Sequence, residues 1–231
     1  MNKGQEEGLN KFICITEILY AVFMSWGFAK IAESFKLSTE YSIDWSYTLP
    51  SLIALFVLIR FFFAPVHNLR NIAIKTYDHY LRQVSLFLFD VPMLMFHSFI
   101  YYRMCSSISE SNYAYFYNWF FGLLLLNIMW LVSIALRMTL WDDKEACGQH
   151  LIWVINNSFH YVILYYIPFI VFQINLYHTP IYLYLFCIAL SNCIVDYLFA
   201  APYYLGSKKT KVSIINWFMC NNPLASKRRD Y

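Results

Sequence analysis

Residues 118–138 read NWFFGLLLLNIMWLVSIALRM, and Arg137 is the one charged residue among them. A helix needs about 20 mostly apolar residues to cross the hydrocarbon core of a bilayer, so this stretch is long and apolar enough to span. The rest of the chain has the same character, since 60% of its 231 residues are hydrophobic and 13% are charged. Soluble domains are about 25% charged. The sequence therefore predicts an all-α, polytopic membrane protein.

Six apolar segments of this kind divide the chain. They are 12–31, 48–65, 84–103, 117–138, 151–173 and 180–205. We expect a six-helix transmembrane domain over residues 1–205, followed by a basic cytoplasmic tail over 206–231. Pro50 suits the first turn of the second span and Pro65 suits its end. Segment 66–83 has apolar residues at helical spacing and a basic polar face, which predicts an amphipathic interfacial helix or, alternatively, a cytoplasmic extension of the third span.

The distribution of Lys and Arg predicts the orientation. Thirteen of the 17 lie on one side, in the N-terminal segment, after the second span, at and after the end of the fourth span with Arg137 among them, and in the tail. Three lie on the opposite side, and Arg60 lies within a span. Because short cytoplasmic loops carry an excess of Lys and Arg, both termini are expected in the cytoplasm.

Ten polar or charged residues within the spans form what we call the polar layer. They are Glu17, Arg60, Asp90, His97, Asn127, Asn156, Asn157, His160, Asn192 and Asp196. A charged side chain at the centre of a spanning helix costs about 2.5–3.5 kcal/mol on insertion scales, so such residues usually pair with one another or line a wet cavity. Given the expected topology, most of them fall in the cytoplasmic half of the bilayer or near its midplane. We therefore expect them to form the pore or gate of the protein.

The sequence alone allows several pairings among the residues of the polar layer. The simplest interpretation is an ion pair between Glu17 and Arg60. Such a pair could have a purely structural role, in which it only fixes the register of the two helices. Asp90 and Asp196 have fewer obvious partners, although Arg60 could satisfy one of the two carboxylates and His97 or His160 could reach another. An unpaired carboxylate would bind a proton, whereas carboxylates along a water-filled path would favour cations. For the histidines and asparagines, interhelical hydrogen bonding is the alternative.

The tail contributes six basic residues around an apolar centre. They are Lys208, Lys209, Lys211, Lys227, Arg228 and Arg229. Such a segment could lie on the anionic inner leaflet or dock a nucleotide or oligonucleotide signal. The third interpretation is that these residues only obey the positive-inside rule.

Several short pieces of the spans are similar to small bacterial six-span membrane proteins. The pieces are Thr16-Glu17 with Tyr20, Phe89-Asp90, Asn127 with Trp130, Asn156-Asn157 and Val195-Asp196-Tyr197. In these the chain resembles the membrane effectors of two-gene anti-phage operons, of which the Hailong system is an example. The resemblance implies a homo-oligomeric ion channel of the cell inner membrane that depolarises the host on infection. It also implies that a nucleic-acid signal, made by a nucleotidyltransferase, holds the channel shut.

The main hypothesis is therefore an oligomeric ion-conducting channel surrounded by membrane lipid. A small proton-coupled secondary transporter and a non-conducting membrane scaffold are the alternatives. An intramembrane lipid enzyme would use His97 or His160 as its base, but no nucleophile or metal constellation accompanies either histidine. The sequence contains no HExxH, GxSxG or glycine-rich phosphate loop, so we expect no enzyme activity, no cofactor and no metal site.

Overall fold

The computed structural model describes residues 3–39, 44–76, 84–140, 144–171, 173 and 179–204, and these are almost entirely helical. Within them lie six α-helices: α1 Lys3–Thr39, α2 Trp45–Thr76, α3 Val91–Ser109, α4 Tyr113–Leu140, α5 Lys144–Tyr161 and α6 Thr179–Tyr204. Two π-helical segments, Leu86–Asp90 and Val162–Val171, precede α3 and follow α5. The all-α prediction is confirmed.

Three helical stretches are long and apolar enough to cross a membrane. They are Glu7–Ser34, Trp45–Phe62 and Ala114–Leu140, and Leu183–Leu198 is a shorter apolar stretch. Large apolar side chains also point outward from the bundle, among them Leu198 and Leu136. Extended exposed apolar surface of this kind is typical of a protein surrounded by lipid. These features agree with the prediction of a membrane protein with spanning helices.

The helices close into a ring. Helix α1 packs against α2 and α3, α3 packs against α4, and α4 packs against α5. Helix α6 then closes the ring by packing against both α5 and α2. Helices α3 and α4 run antiparallel, because the rings of Phe99 and Trp119 meet at one end and the side chains of Ser85 and Arg137 meet at the other. The order around the ring is therefore α1, α2, α6, α5, α4, α3.

Helix α2 receives hydrogen bonds from three neighbouring helices through its main-chain carbonyls. The donor and acceptor pairs are Tyr20 to Phe61, Tyr101 to Ala54, Cys193 to Phe56 and Tyr197 to Ile59. The last two pairs advance together along both chains, so α2 and α6 run parallel. These bonds fix the position of the helix that carries Arg60.

Helix α2 does not end where its prolines suggested. It continues through Pro65 to Thr76, so the expected stop at Pro65 is wrong. Residues 66–76 consequently belong to α2 and do not form a separate interfacial helix or an extension of the third span, while 77–83 lie outside the described residues. Pro50 likewise lies inside the helix, beyond its first turn.

A neighbouring side chain explains how the helix passes Pro65. Proline has no N–H, so it leaves the carbonyl four residues earlier, that of Phe61, without its helical donor. The hydroxyl of Tyr20, buried on α1, donates to this carbonyl. A buried carbonyl without a partner would be costly, and this bond removes that cost.

Both π-helical segments accompany prolines. Leu86–Asp90 ends two residues before Pro92, and Val162–Val171 contains Pro168. A π-helical turn is wider than an α-helical one and occurs frequently at functional sites. The first segment ends on Asp90 and the second begins two residues after His160, so each adjoins the polar layer.

Candidate functional site

One part of the polar layer is centred on Arg60, which is 3% exposed. Its Nη1 donates to Oδ1 of Asn192 on α6, and its Nη2 donates to Oδ1 of Asn157 on α5. Its Nε lies 3.3 Å from Oδ2 of Asp196, also on α6. We call Arg60, Asn157, Asn192 and Asp196 the Arg60 cluster. It joins α2 to α5 and α6, which lie about 100 residues or more further along the chain.

The expected partner of Arg60 is corrected by this arrangement. The ion pair of Arg60 is formed with Asp196, whereas Glu17 lies half-buried on α1. The physical reason is the order of the ring, which places α6 directly beside α2. Asn192 and Asp196 are four residues apart on α6 and so share one helix face.

A second part of the polar layer is centred on Asp90, which is fully buried. Arg137 holds both carboxylate oxygens, with Nη2 donating to Oδ1 and Nη1 donating to Oδ2 at 2.9 Å. Trp130 Nε1 donates to Oδ1 at 2.8 Å, and Arg137 Nη1 lies 3.2 Å from Ser85 Oγ. We call Asp90, Trp130, Arg137 and Ser85 the Asp90 cluster.

Sequence reasoning missed the role of Arg137. Arg137 is one of the thirteen basic residues that predict the cytoplasmic side, and Asp90 is expected to have few obvious partners. Both residues lie near the ends of spans that the predicted topology places on the cytoplasmic side, so their proximity was a usable signal. The pair between Arg60 and Asp196 is one of the alternatives that the sequence leaves open, whereas the pair between Arg137 and Asp90 is not among them.

Aromatic rings connect the two clusters. The guanidinium Cζ of Arg60 lies 4.6 Å from the ring centroid of Phe61. That ring is 4.9 Å from the ring of His97, which in turn is 6.0 Å from the ring of Trp130. His97 therefore lies between the clusters, on α3.

The other predicted residues lie near these groups or elsewhere on the same helices. Asn156 Nδ2 donates to the main-chain carbonyl of Asn192 at 3.3 Å. His160 contacts the carbonyl of Asn156 at 2.7 Å and Ser191 Oγ at 3.3 Å. Asn127 is buried on α4. Of the ten polar-layer residues, nine are buried and Glu17 is half-buried.

Several buried polar atoms around the Arg60 cluster have no hydrogen-bond partner among the described residues. They include Nε of Arg60, Nδ2 of Asn157, Nδ2 of Asn192, Oδ1 of Asn156 and both ring nitrogens of His97. Buried polar groups in native proteins are nearly always bonded, and exceptions often indicate water or an ion. The Arg60 cluster is thus incomplete as a set of protein contacts, while both oxygens of Asp90 are occupied.

The basic tail cannot be placed relative to these clusters, because Lys208, Lys209, Lys211, Lys227, Arg228 and Arg229 lie outside the described residues. Over the part of the chain that the structure covers, no group of three or more His, Cys, Asp or Glu side chains could hold a metal ion.

Comparison with family models, curated proteins and solved structures finds no match to this chain. Function must therefore be inferred from the chemistry of the two clusters and their surroundings.

Proposed function

We propose that the protein is an ion channel of the bacterial inner membrane and that the Arg60 cluster lies on its ion path. The supporting observation is the group of buried polar atoms on α5, α6 and α3 that have no partner among the described residues. Such atoms are costly in a dry interior. Water and a passing ion would supply the missing partners.

The proposal includes six membrane crossings with both termini in the cytoplasm. Three crossings are supported by length and composition. The other three helices belong to the same closed ring and are joined to the spanning helices by buried side chains. Six alternating crossings require α3 and α4 to run antiparallel and α2 and α6 to run parallel, as these pairs do. The excess of Lys and Arg on one side supports the same topology.

The Asp90 cluster helps to separate a channel from a scaffold. In a scaffold, the buried polar groups should all be hydrogen-bonded to one another, as they are where Arg137 and Trp130 bind both oxygens of Asp90. The Arg60 cluster does not have this form, since the amide nitrogens of Asn157 and Asn192 are left over among the described residues. In a channel these nitrogens would bind water or the passing ion, whereas in a scaffold they would have no function.

A secondary transporter is the second candidate, and the π-helical segments favour it. They adjoin Asp90 and His160, and irregular helices beside a central site are common in transporters. However, Asp90 and Asp196 are both paired with arginines. A carboxylate so paired is poorly suited to carry a proton between two access states.

The resemblance to anti-phage effectors suggests a physiological role for the proposed channel in defence against phage. In that role the channel would be a homo-oligomer, held shut by a nucleotide or oligonucleotide signal at the basic tail and opened on infection. Induced expression without the signal should then depolarise a bacterial host, as reported by a voltage-sensitive dye. A normal membrane potential with the protein correctly inserted would count against the effector role.

Recording from the purified full chain in a planar lipid bilayer tests the proposal directly. A channel gives unitary current steps, whereas a carrier turns over too slowly to do so. Asn157→Leu and Asn192→Leu should each reduce the unitary current, because they remove open polar groups from the path. Asn118→Leu, at an exposed position on α4, is the matched control and should conduct normally. Absence of current from reconstituted, folded wild-type protein would reject the channel.

A further inference from the structure

We infer that the ion carried past the Arg60 cluster is a small anion, such as a halide, and not a cation. This inference rests on the proposed function, since it names the class of ion that the channel conducts. The charges of the buried residues and the direction in which two of their amide groups point both favour an anion.

The deep negative charges are already compensated. Asp196 lies 3.3 Å from Arg60 Nε, and Asp90 is held by two nitrogens of Arg137. Cation pathways commonly use rings of acidic side chains, whereas anion pathways use Arg or Lys. Glu17, the remaining acid of the polar layer, is half-buried and itself takes part in an interaction. The structure therefore offers a passing cation no uncompensated, fully buried carboxylate among the described residues.

The orientation of two amides follows from the chemistry of arginine. A guanidinium group has only N–H donors and no acceptor, so the atoms of Asn157 and Asn192 that face Arg60 must be their Oδ1 oxygens. The NH₂ group of each amide then points away from Arg60. Each NH₂ carries two N–H donors, and neither nitrogen has a partner in the described part of the chain. Arg60 thus orients two amide dipoles so that their positive ends face outward.

The unpartnered groups near the cluster are mainly donors. Besides the two NH₂ groups, a neutral His97 carries one N–H and one acceptor nitrogen, and neither is bonded to another described residue. Asn156 Oδ1 is a second acceptor, and Nε of Arg60 is a further donor that makes no hydrogen bond to a described residue. The carboxylate of Asp196 also supplies acceptor oxygens, but its charge is paired with Arg60. A dehydrated anion is stabilised by N–H donors, and hydrogen bonds to an ionised acceptor are roughly twice as strong as neutral ones. A donor excess of this kind favours an anion over a cation.

The primary test is the reversal potential of the wild-type full chain in a planar bilayer with a potassium chloride gradient. The expected value lies close to the equilibrium potential of chloride. Replacing chloride by gluconate on both sides should abolish the current, whereas replacing potassium by the large cation N-methyl-D-glucamine should leave it. A reversal potential near zero or near that of potassium would overturn the anion inference and leave the channel itself standing. Absence of any current would instead remove the proposed function and this inference with it.

Two variants test whether the asparagines of the Arg60 cluster determine the ion selectivity. Asn157→Asp and Asn192→Asp replace an NH₂ donor by a negative oxygen at almost constant size. Each should lower the chloride-to-potassium permeability ratio by about tenfold or more, given the strength of a charge a few ångströms from the ion. Asn118→Asp on the exposed surface of α4 should leave the ratio unchanged. An unchanged ratio in both cluster variants would show that the Arg60 cluster does not select the ion.

Discussion

Arg60 and Arg137 each neutralise one buried aspartate, but their surroundings differ. Arg137, near the end of α4, is 14% exposed and grips Asp90 with two nitrogens while Trp130 adds a third bond. Arg60 is 3% exposed and divides its nitrogens between Asp196 and two asparagines on different helices. Both oxygens of Asp90 accept hydrogen bonds, whereas the amide nitrogens of Asn157 and Asn192 in the Arg60 cluster have no partner among the described residues.

This difference shows that polarity inside a spanning helix does not by itself identify a functional site. A buried ion pair can serve only to join helices, as the bonds between α4 and the segment that ends at Asp90 illustrate. The more informative property is whether the surrounding polar atoms are all satisfied. Three predictions test whether the two clusters differ in this way, and a fourth tests the framework that holds Arg60.

The largest effect is expected from Arg60→Gln, which leaves Asp196 without its arginine among buried neighbours. Removing one member of a buried ion pair typically costs about 3–5 kcal/mol. The midpoint of thermal or chemical unfolding in detergent should fall accordingly. The double variant Arg60→Gln/Asp196→Asn removes both charges and should recover much of the loss. If the double variant were no more stable than the single one, the pairing of Arg60 with Asp196 would be wrong.

A smaller loss is expected from Asp90→Asn, because Arg137 is partly exposed and long enough to reach water. The remaining amide oxygen can still accept from Trp130. Loss of a hydrogen bond to a charged group costs about 1.5–3 kcal/mol, measured by the same unfolding experiment. Unitary current and ion selectivity should stay at wild-type values. A change of selectivity in this variant would contradict the separation of the two clusters.

The framework that holds Arg60 should be sensitive to Tyr20→Phe. This change leaves the carbonyl of Phe61 without a donor, at a cost of about 1–3 kcal/mol. Tyr101→Phe is the matched control, because Tyr101 is also fully buried and its acceptor, the carbonyl of Ala54, still has the helical N–H of Leu58 available. The control should lose about 0.5–1.5 kcal/mol. Equal losses in both variants would show that Pro65 does not create a special requirement at Phe61.

The smallest effect is the coupling between the two clusters. Each ion pair is neutral, and the rings of Phe61, His97 and Trp130 lie between them. A double-mutant cycle that combines Arg60→Gln/Asp196→Asn with Asp90→Asn should therefore be additive within about 0.5 kcal/mol. A larger interaction energy would mean that His97 transmits a change from one cluster to the other.

Much of the fold could be predicted from the sequence, because the cost of a charge in hydrocarbon limits where it can lie. Apolar segments of spanning length predicted the helices, and nine of the ten polar-layer residues are indeed buried. The partners could not be predicted, since they depend on the order of helices around the ring. Glu17 and Arg60 are on neighbouring spans, yet α6 brings Asp196 to Arg60.

The course of α2 past Pro65 was also beyond sequence reasoning. A proline after an apolar segment usually marks the end of a helix. Here the carbonyl that Pro65 leaves open is satisfied by Tyr20, whose sequence distance gives no indication of the contact. Long-range bonds of this kind become visible only when the helices are assembled.

The bonds to the carbonyls of α2 have a consequence for mutational tolerance. Every residue supplies a carbonyl, so no replacement of Ala54, Phe56 or Ile59 can delete the acceptor itself. The donors are side chains on α1, α3 and α6, and each can be lost by a single codon change. These four anchors of α2 are thus encoded outside α2 and persist when the side chains of Ala54, Phe56 or Ile59 vary. The bonds that Arg60 makes to α5 and α6 depend instead on α2 itself.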